Sequence, residues 1–219
     1  MWKAALFDLD GVVFDTEPQY SVFWGCECRR YHPEQPGLEN RIKGQTLPHI
    51  LDDCLCISKE EQRSLIERLD AFESQMSYDY VKDFEKFIIS LREKDIKTAV
   101  VTSSNIAKMN SVYRQRPELH TYFDAILTSE DFAESKPSPD CYLRAAGRFD
   151  AKPTECVVFE DSFNGLKAGR AAGMLVVGLS TTNLESQIAP YADLVIPDYG
   201  ESDLLFKNIN LHCETKIHN

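Results

Sequence analysis

Hydrophobic residues along this 219-residue chain keep two rhythms. Short apolar runs, most of them rich in β-branched residues, occupy 4–7, 97–102, 125–128, 156–159, 175–179 and 194–196. Each is bounded by polar or turn-forming residues and is too short for a buried helix, the signature of a strand covered on both faces. Helical spacing fits between them at 83–95, 105–116, 138–148 and 163–172, with Gly173 placed to end the last helix. Strands alternating with helices make βαβ units, hence a doubly wound α/β core on a parallel sheet. The stretch from about 17 to 80 is different, with amphipathic helical periodicity, charged faces and no convincing strand. One strand precedes it and the others follow. The pattern therefore predicts a core formed by 1–15 and 82–219, interrupted by an all-helical cap at 16–81 that could close over the core and exclude water. There is no internal repeat, and the polar tail from His212 to Asn219 is expected to fray.

With 43% hydrophobic residues the chain can bury one substantial core and a small satellite. No apolar run approaches the roughly 20 residues that cross a bilayer, and Lys3 leads into a strand instead of a signal peptide, so a cytoplasmic protein without membrane contact is expected. A formal charge of −11 argues against nucleic acid, whose phosphate backbone calls for concentrated Lys and Arg. A small phosphorylated metabolite is not excluded, because it needs only a few local cations and a metal ion. Seven cysteines without a secretion signal read as reduced thiols. The pairs Cys26/Cys28 and Cys54/Cys56 lack a nearby histidine and diverge on a helix, which argues against a metal role.

The first strand ends in Asp8-Leu9-Asp10-Gly11. Side chains at i and i+2 of a strand share a side, so Asp8 and Asp10 would crowd two negative charges unless a cation or proton lay between them. Parallel-sheet enzymes bind ligands at the carboxyl ends of strands, where these aspartates sit, although short acidic residues also cap strands and start turns. Thr102, Ser103 and Ser104 end another strand ahead of a helix, which is either an anion cradle or ordinary helix capping. Lys136 lies in the proline-stiffened loop Ser135-Lys136-Pro137-Ser138-Pro139, whereas an isolated lysine is usually solvated. Glu160 and Asp161 close a further strand and offer the oxygen ligands that Mg²⁺ prefers, with Asn164-Gly165 opening the next helix.

In this order, and over nearly the whole chain, these four elements resemble the motifs of the haloacid dehalogenase superfamily of phosphotransferases. The run Glu160-Asp161-Ser162-Phe163-Asn164-Gly165 with Ala171-Ala172-Gly173-Met174, and a helical segment following Asp15-Thr16-Glu17-Pro18, resemble its β-phosphoglucomutase-like branch. The resemblance implies a Rossmann-like core with a helical cap. It implies Asp8 as the nucleophile that becomes an aspartyl phosphate, and Asp10 as the acid and then base for the leaving and entering oxygens. It implies Mg²⁺ held by Asp8, the Asp10 backbone carbonyl and Asp161, with Glu160 alongside, and a phosphate clamp of Gly11, Thr102, Ser103, Ser104 and Lys136.

The chain departs from the mutases of that branch at three places. Tyr20 stands where they carry a histidine, Leu47 where they carry a phosphate-binding arginine after the Lys43-Gly44 pair, and Asn105 where they carry a lysine. Leucine cannot replace a bidentate phosphate fork. These losses favour a Mg²⁺-dependent phosphatase of sugar or polyol monophosphates. The alternative is a phosphosugar mutase, and a third possibility, a binding protein on a dead scaffold, is disfavoured because every catalytic role is filled. Lys43, Thr46 and His49 are expected to touch the leaving group, although Thr46 could equally cap a helix. The resemblance also implies a monomer, since a cap must open and close.

Overall fold

The computed structural model describes residues 2–217. A six-stranded sheet, all parallel, runs in the order β3-β2-β1-β4-β5-β6. The strands are β1 (Ala4–Phe7), β2 (Lys97–Val101), β3 (Ala125–Leu127), β4 (Cys156–Glu160), β5 (Leu175–Leu179) and β6 (Leu194–Ile196). Every run identified from its apolar character is a strand, with ends shifted by at most a residue. Strand order reverses at β1, which has β2 on one side and β4 on the other, and that reversal opens a crevice above its carboxyl end.

The long helices are α1 (Glu17–Tyr31), α2 (Lys59–Glu73), α3 (Phe84–Glu93), α4 (Ile106–Gln115), α5 (Asp140–Arg148), α6 (Phe163–Ala171) and α7 (Ser202–Ile217). All four residues of β1 are buried because both faces of the sheet are covered. On one face Phe7 stacks on Phe159 with ring centroids 4.5 Å apart, and Phe87 and Tyr199 complete the aromatic layer. On the other, Leu6 and Val158 pack against Tyr142 and Ala145 of α5. The tail expected to fray over 212–219 is instead helical to Ile217, because Leu205, Ile209 and Cys213 turn one stripe of α7 into the core, and 218–219 lie outside the described residues.

Residues between β1 and α3 are helical or irregular, as the periodicity predicts, with α1 and α2 as the main pieces and short turns at Leu38–Arg41 and Leu47–His49. Ser58 starts α2 with a reciprocal capping box to Glu61, two donors satisfied at once. The insertion leaves and rejoins the core through a paired neck. Phe14 bridges Tyr80 in antiparallel fashion, the Asp15 N–H donates to the Asp79 carbonyl at 2.8 Å, and the Val81 N–H donates to the Val13 carbonyl at 3.0 Å.

Candidate active site

The floor of the crevice is built from strand ends. Asp8 follows β1, where its N–H donates to the Phe159 carbonyl of β4 at 3.0 Å, so its backbone is still held by the ladder. Lys136, wholly buried, reaches in from the loop before α5 and donates to Asp8 Oδ1 at 2.6 Å, to Glu160 Oε1 at 2.6 Å and to the Val101 carbonyl at 3.2 Å. Burial alone would lower the Lys136 pKa, but attraction to Asp8 and Glu160 wins and raises it well above the usual lysine value. Burial also pushes Asp8 up to about 7, against the pull of Lys136. Glu160 faces away from the cavity. Its oxygens accept from Lys136, the Tyr142 hydroxyl at 2.9 Å, the Asp161 and Ser162 N–H groups and the Ser162 hydroxyl at 3.1 Å. Such a carboxylate fits only because residue 165 is glycine, where a Cβ would lie 1.7 Å from Glu160 Oε1.

Asp10 stands on the opposite lip. Thr16 Oγ1 donates to its Oδ1 at 2.6 Å, Ser104 Oγ to its Oδ2 at 3.4 Å, and the ammonium of Lys108 also contacts Oδ2. Gly11, at φ +72°, turns the chain between the two aspartates and Asp161; a Cβ there would lie 2.2 Å from Asp161 Oδ2. Thr102 is buried and its hydroxyl accepts from the Ser104 N–H at 3.0 Å, which shapes the loop before α4, while Ser103 Oγ donates to the Gly44 carbonyl across the seam with the insertion. Asn105 is the N-cap of α4, its Oδ1 accepting from the Lys108 N–H at 2.8 Å.

A cavity of about 110 Å³ lies between this floor and the helical insertion, and Asp8, Asp10, Thr102, Ser103, Ser104 and Asp161 all line it. Its roof includes Glu17, Tyr20, Trp24, Lys43, Leu47 and Glu73. Lys43 lies 2.8 Å from Glu17 Oε2, an ion pair off the hydrogen-bond direction, and donates to Ser21 Oγ at 3.2 Å. Tyr20 donates its hydroxyl to Glu73 Oε1 at 2.7 Å, and burial raises the pKa of both groups. Two residues expected at the leaving group do not line this cavity. Thr46 borders a neighbouring cavity, its N–H donating to Ser135 Oγ at 3.0 Å, and His49 pairs with Asp53 at 2.8 Å on the outer side of its turn. Lys108, Thr16 and Glu73 are cavity groups or supports that motif reading did not select.

Comparison with known proteins decides what family this arrangement belongs to. The sequence profile of the haloacid dehalogenase-like hydrolases matches residues 2–173. This chain belongs to that family. A phosphorylated carbohydrates phosphatase of Thermotoga maritima is 31% identical over 180 residues, covering 78% of this chain and 82% of its own length. A β-phosphoglucomutase of Bacillus subtilis is 28% identical over 207 residues, covering 89% and 88%. The crystal structure of β-phosphoglucomutase from Clostridium difficile superposes with a TM-score of 0.79 at 22% identity, covering 97% of this chain and 99% of that one, which shows a common fold.

Phosphatases and β-phosphoglucomutases of the haloacid dehalogenase-like family generally use Mg²⁺, and the donor set here suits that ion. Asp161 is buried in the cavity wall, takes a hydrogen bond from Thr182, and has its pKa driven well above the carboxylate range by burial and by Glu17, Glu160 and Asp8. No ammonium or guanidinium contact to it is found among the described residues. Negative charge at Asp8 and Asp161 is thus undercompensated, and a hard divalent cation is the natural complement. No three His, Cys, Asp or Glu side chains among the described residues converge on one point. Two carboxylates plus a backbone carbonyl leave room for phosphoryl oxygens and water, the sparse protein ligation typical of Mg²⁺.

Proposed function

We propose that this member of the haloacid dehalogenase-like hydrolases is a Mg²⁺-dependent phosphatase of sugar or polyol monophosphates that works through an aspartyl phosphate on Asp8. The observation that carries the reading is the division of labour between the two aspartates. Asp8 has its carboxylate fixed by Lys136 against the floor, as a nucleophile requires, while Asp10 is fixed on the far lip by Thr16 and Ser104.

Asp8 attacks phosphorus, and Asp10 gives a proton to the departing oxygen and later takes one from the water that releases phosphate. Lys136, the Thr102 hydroxyl and the Ser103 N–H supply positive ends to the phosphoryl oxygens, since transfer of this kind depends on positioning and electrostatics. Asp8, Asp161 and the Asp10 carbonyl would hold Mg²⁺, which when bound neutralises charge on the transferring group. Glu160 acts through Lys136, as a positioning residue. Residues 16–81 serve as a cap, and their closure over the aspartates keeps bulk water out.

The roof supports a neutral leaving group. It presents Glu17, Glu39 and Glu73 with Lys43, facing Lys108 of the core, and both lysines are engaged by acids, Lys43 with Glu17 and Lys108 with Asp10. A second phosphate would meet net negative charge and, at Leu47, no arginine fork. A mutase reading draws on the same two ammonium groups, which could turn to a second phosphate. The test is inorganic phosphate release from a panel of sugar, polyol and nucleotide monophosphates with Mg²⁺, beside conversion of β-glucose 1-phosphate to glucose 6-phosphate. Release abolished by Asp8→Asn is the expected result; conversion without release would establish the mutase.

A further inference from the structure

Lys108 is out of place for an ordinary lysine. It sits in the first turn of α4, where the helix dipole disfavours a cation, and it is 4% exposed. Nothing in helix formation or solubility asks for it there, so its burial must be compensated by what it touches. Its ammonium contacts Asp10 Oδ2 and lies 4.5 Å from the centroid of the Tyr20 ring, which covers it from the insertion. The Tyr20 hydroxyl is in turn anchored on Glu73 of α2. Core helix, catalytic lip and helical roof therefore meet at one ammonium.

We propose that Lys108 is a positioning residue for Asp10: held under the Tyr20 ring, it fixes the Asp10 carboxyl in the orientation that passes a proton to the leaving oxygen. This rests on the phosphatase reading and extends it. Thr16 holds one oxygen of Asp10 and Lys108 the other, so the carboxyl cannot rotate about its last bond. In the transfer step an Asp8 oxygen bonds to phosphorus. The bond from phosphorus to the leaving oxygen breaks with its electron pair on that oxygen, and the Asp10 proton moves to it. Asp10 is left a carboxylate facing the Lys108 ammonium, oriented to take a proton from water in the next step. Because Tyr20 belongs to the roof and Lys108 to the core, the arrangement is complete only when the two stand together.

The discriminating measurement is the dependence of kcat/KM on the leaving group, with Mg²⁺ present, for sorbitol 6-phosphate and p-nitrophenyl phosphate. An alkoxide needs a proton to leave, whereas nitrophenolate departs without one, so loss of a well-aimed general acid falls on the first ester. Lys108→Met, which keeps chain length and burial, is expected to lower kcat/KM for sorbitol 6-phosphate about 100-fold and that for p-nitrophenyl phosphate less than about fivefold, within the range general acid catalysis supplies. Lys108→Arg is expected to fall between wild type and Lys108→Met on the first ester. Asp10→Asn is the reference and should show the same asymmetry more strongly. An equal fall on both esters in Lys108→Met would mean mere structural damage and overturn the proposal, as would no fall on either. Equal falls in Asp10→Asn itself would remove Asp10 as the leaving-group acid, and the phosphatase reading of that residue would go with it.

Discussion

The floor and the roof of the cavity both carry charged side chains yet are built on different principles. On the floor, Lys136 stands between Asp8 and Glu160, and Glu160 has five donors around it, four carried by strand ends or the loops that follow them and the fifth, Tyr142, by α5. The sheet ladder fixes these positions. On the roof, Glu17, Lys43, Tyr20 and Glu73 come from helices and turns that contact the core along a seam of single hydrogen bonds, such as Ser103 to Gly44 and Asn164 to Lys43. In the proposed reading, the reacting groups sit on the floor, which the sheet holds, and the groups that meet the variable part of a substrate sit in the roof. Burial without a full set of partners marks the roof, where Glu17 and Glu73 have pKa values shifted upward by desolvation.

Four measurements break or sharpen this contrast. The largest effect is expected from Asp8→Asn, which removes the proposed nucleophile and should cut phosphate release by about 10⁴-fold or more while the fold persists in circular dichroism. Gly165→Ala attacks the floor from beneath, because its Cβ would lie 1.7 Å from Glu160 Oε1. Overpacking of this kind costs about 1–3 kcal/mol, and with Lys136 displaced activity should drop together with a thermal midpoint lowered by roughly 3–10 °C. An unchanged midpoint and rate would show that the floor can yield.

The third test is metal removal across pH. Asp8 binds its proton more tightly folded, at about 7, than unfolded, at 3.8, so the unfolded chain releases protons first and stability falls as pH rises through that window. In EDTA the midpoint should therefore be roughly 3–6 °C higher at pH 5.5 than at pH 8, and added Mg²⁺ should stabilise more at pH 8 than at pH 5.5. A chelated protein more stable at pH 8 would contradict the buried, undercompensated floor. The smallest effect belongs to the roof. Tyr20→Phe keeps the ring over Lys108 but frees Glu73, and should shift KM and the ranking among sugar and polyol phosphates by about two- to fivefold, with kcat for p-nitrophenyl phosphate little changed.

The floor was legible in the sequence because its parts are contiguous strings at strand ends. Asp8-Leu9-Asp10-Gly11 and Glu160-Asp161 announce themselves next to apolar runs, and parallel topology then brings the ends together. Lys136 carries no local signal beyond its prolines and was found through resemblance. The roof was harder to read. Glu73 belongs to the spacing Leu65, Leu69, Glu73, an acid on the apolar stripe of α2, which is the trace a buried carboxylate leaves. Lys108 is separated from Asp10 by 98 positions, and its sign was a lysine one turn after an Asn cap. Thr46 and His49 lie beside the cavity and do not line it, because nearness in sequence to Lys43 does not fix the angle at which a short turn meets the core. The C-terminal helix was missed because polar residues outnumber the few apolar ones that fix it.

The neck at Phe14 and Tyr80 has a consequence for how such proteins diversify. Since the chain leaves and re-enters the core side by side, the sheet treats 16–79 as one closed loop, whatever it contains. Closure entropy grows only logarithmically, by about 0.6 kcal/mol for each doubling of length, so the core is nearly indifferent to the size of what is threaded there. A different helical module could be grafted onto residues 15 and 79 and change what the enzyme accepts while leaving β1 and its two aspartates untouched.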